Sequence, residues 1–132
     1  MDKVILIARI LLGLIFFVFG LNGFFHFMPI PPPATDAAGA FMGGLAGSGY
    51  FFPLLKIVET ASGALLLAGF FVPLALTLLA PIIVNIFLYH VFLDSGNLVM
   101  AIVILVLECF LAWAYCDSYK GVLAARAKPS KP

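Results

Sequence analysis

The sequence predicts an all-α integral membrane protein: an up-and-down bundle of four transmembrane helices with a short interfacial helix in the first outer loop. The first observation is composition, because 64% of the 132 residues are hydrophobic and 10% are charged, whereas soluble domains carry roughly a quarter charged residues. The second is that the apolar residues form four runs close to the ~20 residues that cross a bilayer core. The third is that, Lys56 aside, Lys and Arg lie near the two termini, and residues 29–52 contain none. This composition excludes a soluble enzyme, and seven Lys and Arg residues without a clustered basic face exclude a nucleic-acid binder.

The four predicted spans are separated by residues that end helices. We predict helices over about 4–27, 53–71, 73–93 and 98–115. Met28–Pro33 ends the first, because proline lacks the backbone donor and clashes with the preceding turn, and Asp94–Asn97 forms the turn before the fourth. The connections between the second and third spans and between the third and fourth spans are very short. They force these three helices to be antiparallel neighbours, as in up-and-down bundles. Residues 1–119 are therefore predicted to form the transmembrane domain, and residues 120–132 a basic, disordered tail.

The first outer loop contains a second kind of helix signal. Thr35 or Asp36 can cap a short helix that continues to about Ala46, before Gly47–Gly49 ends it. We expect this helix to lie on the membrane surface.

The basic residues predict orientation, because Lys and Arg are retained on the cytoplasmic side. Lys3 and Arg9 flank the start of the first span, and four more follow the last span: Lys120, Arg126, Lys128 and Lys131. This distribution predicts a multi-pass protein of the bacterial inner membrane with both termini in the cytoplasm. The alternative for the first span is a signal peptide cleaved near Ala38–Ala40, but the apolar run exceeds the ~7 to 15 residues of a signal core.

Ionisable and amide side chains inside the predicted spans are the candidate functional residues, because such groups are costly at membrane depth. They are Arg9, Asn22, His26, Lys56, Glu59, Asn85, His90 and Glu108. At 1.5 Å per residue, the six from Asn22 to His90 lie within ~12 Å of the outer boundary. Arg9 lies in the inner half and Glu108 near the middle.

Helical periodicity groups some of these side chains and separates others. Asn22 and His26 share a face, as do Asn85 and Tyr89, but His90 lies about 140° from Asn85. A single pocket that contains every polar residue is therefore disfavoured.

Charge neutralisation is the structural interpretation of the buried charges. It pairs Arg9 with Glu108 across the bundle, and Lys56 with Glu59 along one helix.

The two histidines have a structural and a functional interpretation. His26 and His90 can be interfacial imidazoles, with His90 held by Asp94. The alternative is a bis-histidine haem. The faces do not bring the two rings together, however, and the sequence has no CxxCH attachment motif. No metal site is predicted.

Cysteines and glycines are assigned to packing. Cys109 and Cys116 are seven residues apart on one helix, which is too far for a disulfide. Gly13, Gly20 and Gly63 lie on the faces of the polar residues and predict close helix contacts.

The sequence resembles the DoxX family of small four-helix bacterial membrane proteins. The resemblance rests on the segments IARILLGLIFFVFGLNGFFHF, KIVETASGALLLAGFFVPLAL and APIIVNIFLYHVFLD. It maps Arg9, Glu59, Asn85 and His90 onto the family's polar pattern, and Glu108 as a weaker match. The resemblance implies a link to quinone-associated redox systems, among them a thiosulfate:quinone oxidoreductase subunit.

The leading functional prediction is a membrane subunit of such a system, which binds a quinone in the outer half of the bundle. Whether the chain is itself catalytic is left open. Glu59 and Glu108 are the candidate proton carriers. The candidate quinone contacts are Asn22, His26, Asn85, Tyr89 and His90. Because the sequence contains no visible redox centre, a partner protein would supply electrons.

Two other functions stay open. A proton-coupled transporter of small lipophilic compounds would use Glu59 or Glu108 in each protomer of a homo-oligomer. A membrane scaffold would use the polar pairs only to fix helix register.

Overall fold

A computed structural model of the protein describes residues 1–131. Its five α-helices are α1 (Asp2–Phe25), α2 (Asp36–Gly47), α3 (Phe51–Ala68), α4 (Val72–Phe92) and α5 (Leu98–Ala114). Short 3-10 helices, Ser95–Asn97 and Cys116–Tyr119, flank α5. The described residues contain no strand, and the predicted all-α fold is confirmed.

Four helices are long and apolar enough to cross a membrane: α1, α3, α4 and the segment Ser95–Ala114 that contains α5. Each packs against two neighbours in the order α1, α3, α4, α5 and back to α1, so the spans form an antiparallel ring. Both ends of the chain therefore lie on one side of the bundle, called here the terminal side. The opposite side carries α2 and is called the α2 side.

Glycines allow α1 and α3 to form the most extensive contact in the bundle. A Cβ added at Gly13 would lie 2.9 Å from Leu66 Cβ and 3.0 Å from Gly63 O. A Cβ at Gly20 would lie 2.7 Å from the backbone nitrogen of Thr60. Because even one methyl group would overlap the partner helix, these positions permit the close approach that the sequence predicts.

The core is a single apolar column between the four spans. Leu12, Phe16, Leu66, Leu79 and Leu111 are each at most 1% exposed at its centre. Only 22–28% of each span is buried inside the protein, so most of the surface of each helix is apolar and turned outward. Lipid tails can cover that surface at no hydrophobic cost, whereas water cannot.

Helix α2 is fastened to the bundle by its N-terminus. Thr35 adopts an extended conformation and its hydroxyl accepts a bond from Ala38 N at 3.1 Å, which caps the helix as predicted. The same hydroxyl donates to Leu93 O at the end of α4. Asp94 Oδ2 accepts a bond from Ala34 N at 3.0 Å, and Ala38 is fully buried. The loop before α2 is thus joined to the turn between α4 and α5.

Two predicted boundaries differ in ways that affect the site. Helix α1 ends at Phe25, so His26 lies outside the span, in the left-handed region with φ of 52°. Helix α3 ends at Ala68, with Gly69 in the same region at φ 81°. The basic residues after Tyr119 are exposed through residue 131.

Candidate functional site

Lys56 and Glu59 form an ion pair one turn apart on α3, with 3.1 Å between Lys56 Nζ and Glu59 Oε1. The carboxyl side chain is 5% exposed and the lysine side chain 21%. The lysine stem lies across Gly23 of α1, because a Cβ at Gly23 would overlap its carbons. Glu59 is therefore held by a neighbour on its own helix, within the α1–α3 contact. This geometry fits charge neutralisation.

Arg9 and Glu108 do not pair with each other: among residues 1–131, no nitrogen of Arg9 lies within 4.0 Å of a carboxylate oxygen. The Arg9 guanidinium lies instead against Gly69, where an added Cβ would be 3.1 Å from Arg9 Cζ. Gly69 ends α3, and a cation is favourable at the negative end of a helix dipole. The predicted neutralisation across the bundle is replaced by a cation at a helix C-terminus.

Glu108 is the carboxyl group without a cationic partner inside the bundle. The residue is 8% exposed, and its Oε1 is buried with no hydrogen-bond partner. Together with Ile104 and Leu111, it lies on the face of α5 that is buried in the interior of the bundle. A group in these surroundings can exchange a proton with a visiting molecule, because no cation holds its charge in place.

Tyr119 is bonded to the start of α4 on the terminal side. The 3-10 helix Cys116–Tyr119 turns the chain back, and Tyr119 Oη donates to Pro73 O at 3.1 Å. Burial raises the pKa of Tyr119, a hydrogen bond with Thr77 lowers it, and the negative charge of Glu108 raises it further. The bond to Pro73 fixes the hydroxyl group of Tyr119 on the terminal side.

A groove between α1 and α5 opens toward lipid in the terminal half of the bundle. Its volume is about 320 Å³, and its lining is apolar throughout: Val4, Ile7, Ala8, Leu11, Val106, Leu107 and Phe110. Leu107 immediately precedes Glu108. The groove fits an aromatic ring or an isoprenoid chain by size and polarity, but its lining offers no side chain that could bond a quinone carbonyl.

A smaller cavity of about 140 Å³ lies at the terminal mouth of the bundle. It is lined by Asp2, Ile5, Leu6, Arg9 and Tyr115. Both cavities lie in the terminal half, whereas the sequence predicts the ligand site in the other half.

On the α2 side, Asn22 holds the segment that follows α1 by two hydrogen bonds. It is 3% exposed, its Oδ1 accepts a bond from Met28 N at 2.7 Å, and its backbone oxygen accepts one from His26 N at 2.9 Å. These bonds stabilise the chain as it leaves α1. His26 itself is exposed, so Asn22 and His26 do not share a helical face.

The aromatic residues at the end of α4 form a contact with α2. The Tyr89 ring lies 5.8 Å from Phe41 of α2 and 5.2 Å from His90. His90 Nδ1 lies 2.8 Å from Ile86 O, so this nitrogen is occupied within its own helix. Asn85 is exposed and directed away from the interior. The described residues contain no group of three or more metal-ligating side chains.

The site residues thus fall into three places rather than one. Lys56 and Glu59 lie in the α1–α3 contact, Arg9 and Glu108 lie apart in the terminal half, and the candidate quinone contacts lie on the α2 side. Sequence reasoning did not find the bond that joins Tyr119 to Pro73. That bond depends on the 3-10 helix Cys116–Tyr119, and no periodic pattern encodes such a turn.

The ring of four apolar helices, with polar groups buried between them, defines a multi-pass integral membrane protein. Residues 4–91 match the DoxX family, and because this match covers most of the chain, the protein belongs to that family. The match includes α1 to α3 and nearly all of α4, and it ends before α5 and Glu108. No curated protein and no solved structure matches the chain.

Proposed function

We propose that the protein is a membrane-embedded component of a quinone-associated oxidoreductase system in the bacterial inner membrane, with both termini in the cytoplasm. The observation that carries the proposal is that α5 contains both an unpaired buried carboxyl group, Glu108, and one wall of an apolar groove open to lipid, which includes the preceding residue Leu107. The orientation is supported by basic residues that cluster on the terminal side.

Quinone chemistry needs both features. Reduction of a quinone to a quinol takes two electrons and two protons. The molecule reaches its site from the hydrocarbon core, so an opening between helices that faces lipid is required. In this proposal the groove receives the ring or chain, and Glu108 carries the protons. A redox partner protein supplies or receives the electrons.

The proton-carrying role is assigned to Glu108 rather than Glu59. Glu59 already has the Lys56 ammonium group 3.1 Å away, so a change in its protonation would leave a buried lysine unpaired. Glu108 has no such partner. Tyr89 and His90 remain candidate contacts on the α2 side for a ligand that enters there.

The single tryptophan provides a native reporter for the binding step. The Trp113 ring lies 6.0 Å from Phe110, which lines the groove. Titration with decylubiquinone in lipid nanodiscs should quench Trp113 fluorescence to saturation. Val106→Phe should abolish saturable quenching, because Val106 lines the groove and is 59% exposed. Ile57→Phe, at an exposed position of α3, is the matched control. Linear quenching that is equal in all three proteins would overturn the assignment of the groove.

The proton step is tested separately. Quinone-linked oxygen consumption in native membranes should fall with Glu108→Gln and change less with Glu59→Gln. The scaffold alternative is favoured by the Lys56–Glu59 pair and predicts no loss with either variant. Uptake of a lipophilic compound driven by a pH gradient across vesicles, without any effect on oxygen consumption, would favour a transporter instead.

A further inference from the structure

One helix face that is turned toward lipid carries an amide. Nine residues of α4 are exposed, and six of them recur at alternating spacings of four and three: Leu74, Leu78, Pro81, Asn85, Leu88 and Phe92. Such a stripe presents the a and d positions of a heptad seam on the outside of the bundle. Asn85 occupies one of these positions, and its amide takes part in none of the side-chain hydrogen bonds of the described residues. Within the four spanning α-helices the other amide, Asn22, is buried and bonded.

The position of Asn85 makes exposure to lipid costly. It lies seven residues before the end of α4, which is about 10 Å below the α2 side at 1.5 Å per residue. A lysine or arginine could extend to the interface from that depth, but the side chain of asparagine is too short to do so. An amide without a hydrogen bond is therefore unfavourable in hydrocarbon.

A second polar group lies on the same stripe. Pro81 has no backbone N–H, so the carbonyl of Thr77 lacks its usual partner in the helix. Thr77 and Pro81 are both exposed. The outward face of α4 therefore has an amide and a free carbonyl oxygen, in surroundings of leucine and valine.

We propose that a second copy of the chain covers this stripe, in a two-fold dimer whose axis passes along the membrane normal between the two α4 helices. The α4 helices are then parallel, and equivalent a positions meet at the axis. An amide both donates and accepts, so Asn85 of each protomer can bond the other. A single asparagine at an a position is a known device for fixing register and the number of helices. This proposal is independent of any quinone chemistry.

Cysteine cross-linking tests the geometry in native membranes. In a background with Cys109→Ala and Cys116→Ala, Leu78→Cys places a thiol one heptad from Asn85, and Asn85 itself stays intact. Oxidation should give a disulfide-linked dimer. Val106→Cys is the matched control, because it is exposed in the same way on α5. Equal cross-linking at both positions, or a heavier adduct with a different protein at Leu78→Cys, would overturn the proposal.

The amide is tested by Asn85→Leu, which replaces it with an apolar group that lipid tolerates. One interhelical hydrogen bond contributes ~0.6–2 kcal/mol in membranes, so the dimer should dissociate roughly 3- to 30-fold more readily. Energy transfer between labelled protomers diluted in nanodisc-sized bilayers measures this change. Unfolding of the protomer should be unaffected, which separates lost association from lost folding. A dimer as stable as wild type, or a protein that stays monomeric before substitution, refutes the inference.

Discussion

Gly63→Ala should separate α1 from α3, because the added methyl group has no space. A Cβ at Gly63 would lie 2.8 Å from Gly13 O and 2.9 Å from Phe17 Cα, and it would overlap the backbone nitrogen of Phe17. All three neighbours are backbone atoms of the facing helix. None can rotate away, so the two helices must move apart by several tenths of an ångström along their most extensive contact.

The magnitude follows from two opposing effects. Overpacking of a close-packed interior costs ~1–3 kcal/mol, and the backbone neighbours place Gly63→Ala near the upper end, about 3 kcal/mol. Alanine favours the helical conformation over glycine by ~1 kcal/mol. The expected net loss in the free energy of unfolding is therefore about 2 kcal/mol. Gly43→Ala in α2 is the matched control. A Cβ there meets nothing within 4 Å, so only the favourable helical effect should remain.

The assay is reversible unfolding in mixed micelles as the fraction of denaturing detergent increases. Gly63→Ala should lower the free energy of unfolding by about 2 kcal/mol, and Gly43→Ala should raise it by about 1 kcal/mol. The two variants should therefore differ by about 3 kcal/mol. If Gly63→Ala were as stable as Gly43→Ala, the helices would not be in backbone contact at this point, and the α1–α3 packing described above would be wrong.

Three further perturbations test the Lys56–Glu59 ion pair, the bond between Ala34 and Asp94 that holds the loop before α2, and the Thr35 cap of α2. Lys56→Leu alone should cost about 3 kcal/mol because it leaves Glu59 buried without a counter-charge, whereas replacing both with leucine should be nearly neutral in the same unfolding assay. Hydrogen bonds from the backbone N–H groups of Ala34 and Gly96 hold the pKa of Asp94 below its usual value of 3.8. The bond from Ala34 N–H to the ionised Asp94 carboxylate, which holds the loop before α2, is therefore fully formed above pH 3.8 and is lost as the pH falls through the lowered pKa. The chemical shift of the Ala34 amide should report this loss with a midpoint below pH 3.8. Thr35→Ala should destabilise α2 by about 1 kcal/mol, seen as faster hydrogen exchange of its first-turn amides; unchanged exchange would mean that the cap does not stabilise the helix.

The fold could be predicted from the sequence because the bilayer imposes few choices. The length of each apolar run, Pro73 at the start of α4 and the Thr35 cap all act locally, so their consequences follow from a few neighbouring residues. The exact residues at which helices end do not follow from these local signals. His26 ends α1 because it adopts a left-handed conformation bonded to Asn22, which hydropathy does not encode.

The site was predictable only where partners share a helix. Lys56 and Glu59 are three residues apart, and that spacing alone brings them together. Arg9 and Glu108 match in depth but lie on different helices, so their meeting depends on the rotation of each helix about its axis. The close contact of α1 with α3 turns Arg9 toward Gly69 instead. Depth can be counted along a sequence, but rotation is fixed by packing.

The two buried carboxyl groups can be told apart by a stability measurement that needs no knowledge of the substrate. Glu59 stabilises its surroundings through Lys56, so replacing Glu59 alone should destabilise the protein. Glu108 is buried with an oxygen that has no partner, and the burial of such a polar group costs ~1–3 kcal/mol. Glu108→Leu should therefore raise the free energy of unfolding by about that amount. A gain in stability accompanied by a loss of quinone-linked oxygen consumption would mean that Glu108 is kept for function at the expense of stability. If Glu108→Leu destabilises the protein instead, the carboxyl group has a structural partner, and the proton-carrying role would have to be assigned elsewhere.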